Sequence, residues 1–186
     1  MVKLPPFQVA VLSHLFEMAP IAETANTLDF RFSNEFEGTF YAAYSALASQ
    51  TGYKHCNLVT TLATYSDVVF FAVTGSSEAE VARALGSLED YDRETLSLSV
   101  GQVVRIPDGR FSSQGLHAVV LLRPRVMSGF EEFGDCYTIN SRHLRFVFAL
   151  FITEEEYLFR KDHGHDALMD RFIDEQRTIV VFEPAD

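Results

Sequence analysis

Two hydrophobic periods alternate along the chain. Phe7, Val11, Leu15 and Met18 recur at spacings of four, four and three behind Pro5 and Pro6, which predicts an amphipathic helix from about Pro6 to Met18 with those four residues inward. In LDFRFSNEF (28–36), Leu28, Phe30 and Phe32 alternate with polar neighbours, the period of a strand with one wet face. GTFYAAYSALASQTG (38–52) is Ala-rich between two glycines and reads as a short helix. DVVFFAVTG (67–75) reads as a buried strand, and SSEAEVARALGSL (76–88) as a helix capped by Ser76 or Ser77 with Val81, Ala84, Leu85 and Leu88 inward. Gly86 weakens its last turn.

The second half is mostly strand. Leu96, Leu98 and Val100 alternate, Val103, Val104 and Ile106 follow Gly101, and Pro107–Asp108–Gly109 signals a turn. GLHAVVLLRP (115–124) is a strand closed by Pro124, and Cys136 in FGDCYTI is a half-buried strand residue. LRFVFALFI (144–152) runs seven apolar residues without a break after Arg145, which needs cover on both faces of a sheet. RTIVVFEP (177–184) predicts a last short strand. Helices interleaved with strands, some strands half exposed, give an α+β (mixed α/β) fold: a central, mostly antiparallel or mixed sheet flanked by helices. With 186 residues and no linker or repeat, the expectation is a single domain over 1–186.

Composition narrows the class. Apolar residues make up 47% and charged residues 22%, and 17 Phe against no Trp make Phe the main aromatic of the core. No apolar run approaches the roughly 20 residues a membrane span needs, and the N-terminal stretch is broken by Ser13, His14 and Glu17, unlike a signal peptide. Two cysteines, Cys56 and Cys136, do not make a disulfide framework, so a reducing, cytoplasmic setting is expected. The net charge of −11 opposes binding to nucleic acid and favours docking of a basic protein.

No phosphate-binding glycine loop, serine-hydrolase elbow or zinc-protease motif is present. The sequence calls for no cofactor, no metal and no catalytic residue. One stretch raises the question of chemistry: TEEEYLFRKDHGHDALMDRF (153–172). Thr153 and Glu156 have capping-box spacing, Glu154 to Glu156 suit the positive end of a helix dipole, and Arg160, Lys161 and His163 suit the negative end. Gly164 then ends the helix, with Tyr157 and Leu158 inward. Asp166 opens a second helix with Ala167, Leu168, Phe172 and Ile173 inward. Only an unbroken helix would bring Asp162, His165 and Asp166 to one face as metal ligands.

The strand, acid-rich helix, His-Gly pair and Leu/Phe helix of LRFVFALFITEEEYLFRKDHGHDALMDRF (144–172) resemble the C-terminal part of the Suppressor of Fused domain in its bacterial forms. LSVGQVVRIPDGRFSSQGLHAVVLLRP (98–124) resembles that family's preceding hairpin. The resemblance is clearest over 76–173. Residues 1–65 give no clear version of the family's early strand and threonine-rich turn, for which CNLVTTLATYSD (56–67) is the nearest stretch.

The resemblance implies a domain without a catalytic centre that grips a protein partner. The animal member restrains a transcription factor, and bacterial members look like immunity proteins that neutralise a toxin. The expected function is therefore a non-enzymatic, immunity-type protein, monomeric or homodimeric, with a basic toxin domain as partner. Expected contacts are Glu131, Glu132 and Asp135, with Phe130 and Phe133 as aromatic anchors. Two alternatives stand beside it. One is a metal-dependent or thiol enzyme using DHGHD or Cys56; the other is a homodimeric adaptor joined through a strand edge or a Phe-rich face.

Overall fold

The strand over 142–153, which holds the longest unbroken apolar run of the chain, is the axis around which the molecule is built. A computed structural model describes residues 2–22, 24–32, 37–106 and 109–183. Among them the elements run α1 (Pro6–Met18), β1 (Asn26–Phe30), β2 (Phe40–Ala46), β3 (Asn57–Thr61), β4 (Val68–Thr74), α2 (Glu78–Thr95), β5 (Val103–Arg105) and α3 (Gly109–Ser113). They continue as β6 (Leu116–Leu122), β7 (Cys136–Ile139), β8 (Arg142–Thr153), α4 (Glu154–His163) and α5 (His165–Asp174).

On one flank β8 pairs in parallel with β4, Val68 opposite Arg145 and Phe71 opposite Phe148. On the other flank it pairs antiparallel with β7 near its start and with β6 over its second half. The sheet order is β1-β2-β3-β4-β8-β6-β5, with β7 beside β8. It is a mixed sheet, parallel only at β4–β8.

Side chains alternate across a strand, so the unbroken apolar runs fill two cores. Val69, Phe71, Phe146, Phe148 and Leu150 face α1, α5 and the segment 127–133. Val68, Phe70, Val147, Ala149 and Phe151 face α2 and α3. Among the described residues no helix is long and apolar enough to cross a membrane.

Several sequence expectations are corrected. Residues 40–46 form β2, not a helix: its backbone is claimed by β1 on one side and β3 on the other. Its alanines are small enough to sit beneath helices on both faces, Ala42 in the α2 core and Ala43 in the α1 core. Sheet pairing here outweighs the helical preference of alanine. Leu96, Leu98 and Val100 lie in the turn after α2, which runs on to Thr95, so only Val103–Arg105 is strand. The turn expected at Pro107 and Asp108 lies outside the described residues.

RTIVVFEP makes one parallel bridge, Val73 to Val180, in place of a strand. Ser77 precedes α2 with φ of 60° and makes no side-chain cap. Met18, Leu158 and Ile173 are 39%, 45% and 74% exposed, so none of the three lies in a core. Cys136 is exposed, because β7 lies outside β8 and its outer side is uncovered.

Gly86 does not end α2. A Cβ there would fall on the ring of Phe30, so the glycine is where β1 packs closely against the helix. One turn later Glu89 is fully buried, and its Oε1 accepts the Tyr65 N–H at 2.7 Å. Burial pushes its carboxyl up to about 7, offset only in part by the neighbouring backbone at Tyr65, Thr64 and Ser66 and by Thr61.

The start of α4 is tied to the C-terminal segment. The Thr153 side chain accepts the Glu156 N–H at 3.2 Å while Glu156 Oε2 accepts the Thr153 N–H at 2.7 Å, the capping box expected from sequence. Arg177 reaches the same carboxylate, Nε to Oε1 at 2.8 Å, and donates to the Phe151 carbonyl at 2.9 Å. Burial opposes the Glu156 charge, but Arg177 and the Thr153 amide outweigh it and hold the carboxyl below its ordinary range.

Candidate protein-binding groove

Helix α2 carries its apolar surface past the face buried on the sheet. Ala84, Leu88 and Tyr91 sit at i, i+4 and i+7 and line the side of the helix toward β5; Leu88 also belongs to the α2 core at 4% exposed, whereas Tyr91 is 49% exposed. Strand β5 is last in the sheet order, and among the described residues it pairs only with β6. Between the two runs a groove made of two adjoining cavities. One, of about 580 Å³, is lined by Phe32, Arg83, Ala84, Ser87, Leu88, Tyr91, Val104, Arg105 and Ile106. The other, of about 500 Å³, shares Tyr91, Val104 and Arg105 and adds Ser97, Leu98, Gly101, Gln102, Val103 and Arg160.

The β5 register sets which backbone groups are open. The Gln102 carbonyl accepts the Leu121 N–H at 2.9 Å and the Ile106 N–H donates to the His117 carbonyl at 3.0 Å. In an antiparallel ladder the positions alternate, so Val103 and Arg105 turn their N–H and C=O groups away from β6, onto the open edge. Tyr91 lines both cavities, and Leu96 and Val100, in the turn that leads from α2 to β5, are 80% and 42% exposed.

The turn that carries Leu96 and Val100 is pinned from beneath. Asp92 Oδ1 accepts the Leu98 N–H at 3.0 Å, and Arg145 donates to the Leu98 carbonyl at 2.8 Å. Three arginines line the groove. Arg83 lies 5.7 Å from the Phe30 ring centroid. Arg105 makes a fork on Glu154, at 3.0 and 2.7 Å, and lies 4.2 Å over the Tyr157 ring. Its guanidinium holds the Glu154 carboxyl below its usual range. Arg160 donates from Nη2 to the Gly101 carbonyl at 2.5 Å.

The loop expected to bind a partner is built differently. Phe130 and Phe133 are 1% and 2% exposed, packed on Phe71 with ring centroids at 5.8 and 6.2 Å. They belong to the core because the loop folds back over the α1 face of the sheet, so their rings are not surface anchors. Glu131 and Glu132 remain exposed. Glu131 accepts the Gly129 N–H at 3.0 Å, and its carboxyl is lowered by its own backbone N–H and that of Gly129. Asp135 lies 3.5 Å from both Arg123 and Arg125.

The DHGHD stretch is a junction of two helices. Gly164 at φ of 94° separates α4 from α5, so Asp162 closes one helix while His165 and Asp166 open the next. Among the described residues no cluster of three His, Cys, Asp or Glu side chains suits a metal ion. Gly164, not Asp166, occupies the cap position of α5. Cys56 is 4% exposed and donates to the Lys54 carbonyl at 3.4 Å. Burial raises its pKa, with Glu183 adding to the effect, and so keeps the thiol neutral, the opposite of an activated nucleophile.

The groove was not found from sequence because its lining gathers Phe32, α2, the segment 97–106 and Arg160, which no local pattern links. The usable signal was Tyr91, which continues the Ala84–Leu88 spacing past the residues read as inward.

The fold has known counterparts. A SUFU (suppressor of fused protein) homolog from Neisseria gonorrhoeae FA 1090 superposes with a TM-score of 0.70 at 15% identity, over 94% of this chain and 92% of that one. A chain of the Sufu–Fu complex superposes with a TM-score of 0.50 at 10% identity, over 95% of this chain and 86% of that one. At these identities the likeness is one of fold. No curated protein matches in sequence. The sequence model of the Suppressor of fused protein (SUFU) family matches residues 58–184, reaching further toward the N-terminus than the resemblance at 76–173 and taking in all but the first two residues of CNLVTTLATYSD. A match over that much of the chain decides the family: the protein belongs to the Suppressor of fused (SUFU) family.

Proposed function

We propose that the chain is a non-enzymatic protein-binding domain that receives an extended segment of its partner in the α2–β5 groove. Its role is that of an immunity-type protein, which neutralises a toxin by stoichiometric binding. The observation that carries the reading is the groove. It joins an open strand edge, apolar walls and a rim of Tyr and Arg, the side chains that dominate protein interfaces. Likeness to a Sufu chain solved together with Fu supports a partner-holding role.

Charge divides the work between surfaces. A net charge of −11 draws a basic partner toward the chain and speeds encounter. The exposed Glu131 and Glu132 contribute to that field, whereas Asp135 is largely answered by Arg123 and Arg125. Contact energy comes from the groove.

The test is a photo-crosslinking amino acid at position 91 in the native host. One partner captured in stoichiometric yield is expected, and Val103→Pro, which removes an outward N–H without touching the β5–β6 ladder, should reduce capture at least tenfold. The partner expressed alone should arrest growth, and co-expression of this chain should restore it. Failure to capture any partner overturns the groove; capture of a partner without toxicity overturns the immunity role.

A further inference from the structure

Arg160 lies at the end of the groove where the 500 Å³ cavity opens. Its Nη2 is fixed on the Gly101 carbonyl, while its enclosed Nε has no hydrogen-bond acceptor. Among the described residues no carboxylate forms an ion pair with it. Arg105 across the cavity differs, because Glu154 already compensates its charge with two hydrogen bonds. In a chain with eleven surplus negative charges, a groove guanidinium that pairs with no carboxylate among the described residues keeps its charge available for an anion from outside, and a charge-assisted hydrogen bond there is stronger than a neutral one. The Gln102 side chain strengthens the case: its Oε1 is spent on the Ser99 N–H at 2.8 Å, so the part of that amide left to a ligand is its donor.

Resting on the groove reading above, we infer that this cavity is a carboxylate-recognition site. It reads an Asp or Glu side chain carried by the partner's bound segment, with Arg160 as the specificity-determining residue. The occupant is an otherwise apolar, extended segment with one acidic side chain at a fixed position: its apolar residues pack on Tyr91 and Val104, and its carboxylate reaches Arg160. A second copy of this chain fits poorly, since pairing two β5 edges would bring both sets of groove arginines together.

The experiment is a selection of displayed random octapeptides on the whole chain and on its Arg160→Gln and Tyr91→Asp variants, position 91 being exposed and lining both cavities. Each variant is first checked for an unchanged thermal midpoint. Peptides selected on the wild type and lost on Tyr91→Asp should carry Asp or Glu at one position, and selection on Arg160→Gln should drop that preference. A synthetic pair differing only by Glu against Gln at that position should differ in affinity by about ten- to a hundredfold on the wild type and by less than threefold on Arg160→Gln.

Peptides that need Tyr91 but show no acidic position overturn the carboxylate inference and leave the groove reading intact. No peptide sensitive to Tyr91→Asp overturns both. Inorganic phosphate or acetate competing at millimolar concentration where the Glu and Gln peptides bind equally also overturns it, by making the site one for a free anion. The wild-type comparison of the two peptides keeps the inference falsifiable if Arg160→Gln does not fold.

Discussion

Glu89 makes the fold sensitive to pH in the direction opposite to most acidic residues. It is fully buried, its Oε1 accepts a backbone amide at 2.7 Å, no cation among the described residues pairs with it, and its carboxyl stands at about 7 against an ordinary 4.5. A folded-state pKa above the unfolded one means that the folded chain holds the proton more tightly. The stabilisation is therefore fully present below about 4.5, declines as pH rises to about 7, and is gone above that. At 1.36 kcal/mol for each pH unit, the whole window is worth about 3 kcal/mol, of which about 2 kcal/mol falls between pH 5.5 and 8. Urea unfolding across that range should show the wild type losing about this much. Glu89→Gln, which keeps an acceptor for the Tyr65 N–H but cannot ionise, should follow a nearly flat profile. The comparison is of slopes, because the amide also introduces an NH₂ with a burial cost of its own. Equal slopes in the two proteins would refute the reasoning, since no other difference between them titrates.

Three further substitutions test the packing. Gly86→Ala should destabilise by about 1–3 kcal/mol despite alanine's better helix propensity, because its Cβ meets the Phe30 ring; adding Phe30→Leu should recover most of the loss in thermal melts. Arg177→Ala should cost about 2 kcal/mol by leaving Glu156 buried without its cation. It should also speed hydrogen exchange at the Val181 amide, which donates to the Val73 carbonyl. Phe133→Ala should cost about 3–5 kcal/mol in chemical unfolding, as a core truncation does, while Glu132→Lys beside it should change stability by less than about 0.5 kcal/mol.

Where the local signal and the tertiary demand agree, the elements are legible in the sequence. LRFVFALFI is a strand because both its faces are covered, and Thr153 with Glu156 caps α4 because the box is closed within four residues. Where they disagree, packing wins. Residues 40–46 are Ala-rich, yet alanine is what a strand beneath two helices can accommodate, and nothing in the segment itself announces those helices. Phe130 and Phe133 looked like exposed anchors because acids surround them; the acids mark the outside of the loop and the rings its inside.

The groove failed to announce itself for a different reason: each of its residues has an ordinary local role. Leu88 reads as inward helix face, Val103, Val104 and Ile106 as a short strand, and Arg160 as a cation suited to a helix C-terminus. Only the sheet order places the last strand beside a helix that entered the fold on the far side of β4, and only then does the Tyr91 side of α2 acquire an open edge to face. A helix needs one apolar stripe to cover a sheet, and α2 spends Val81, Ala82, Leu85 and Leu88 on that. The side of the helix beyond it, around Tyr91, is therefore where the chain has room for a partner. Variants of Ala84 and Tyr91 should accordingly alter binding more than stability, while those of Val81 and Leu85 should do the reverse.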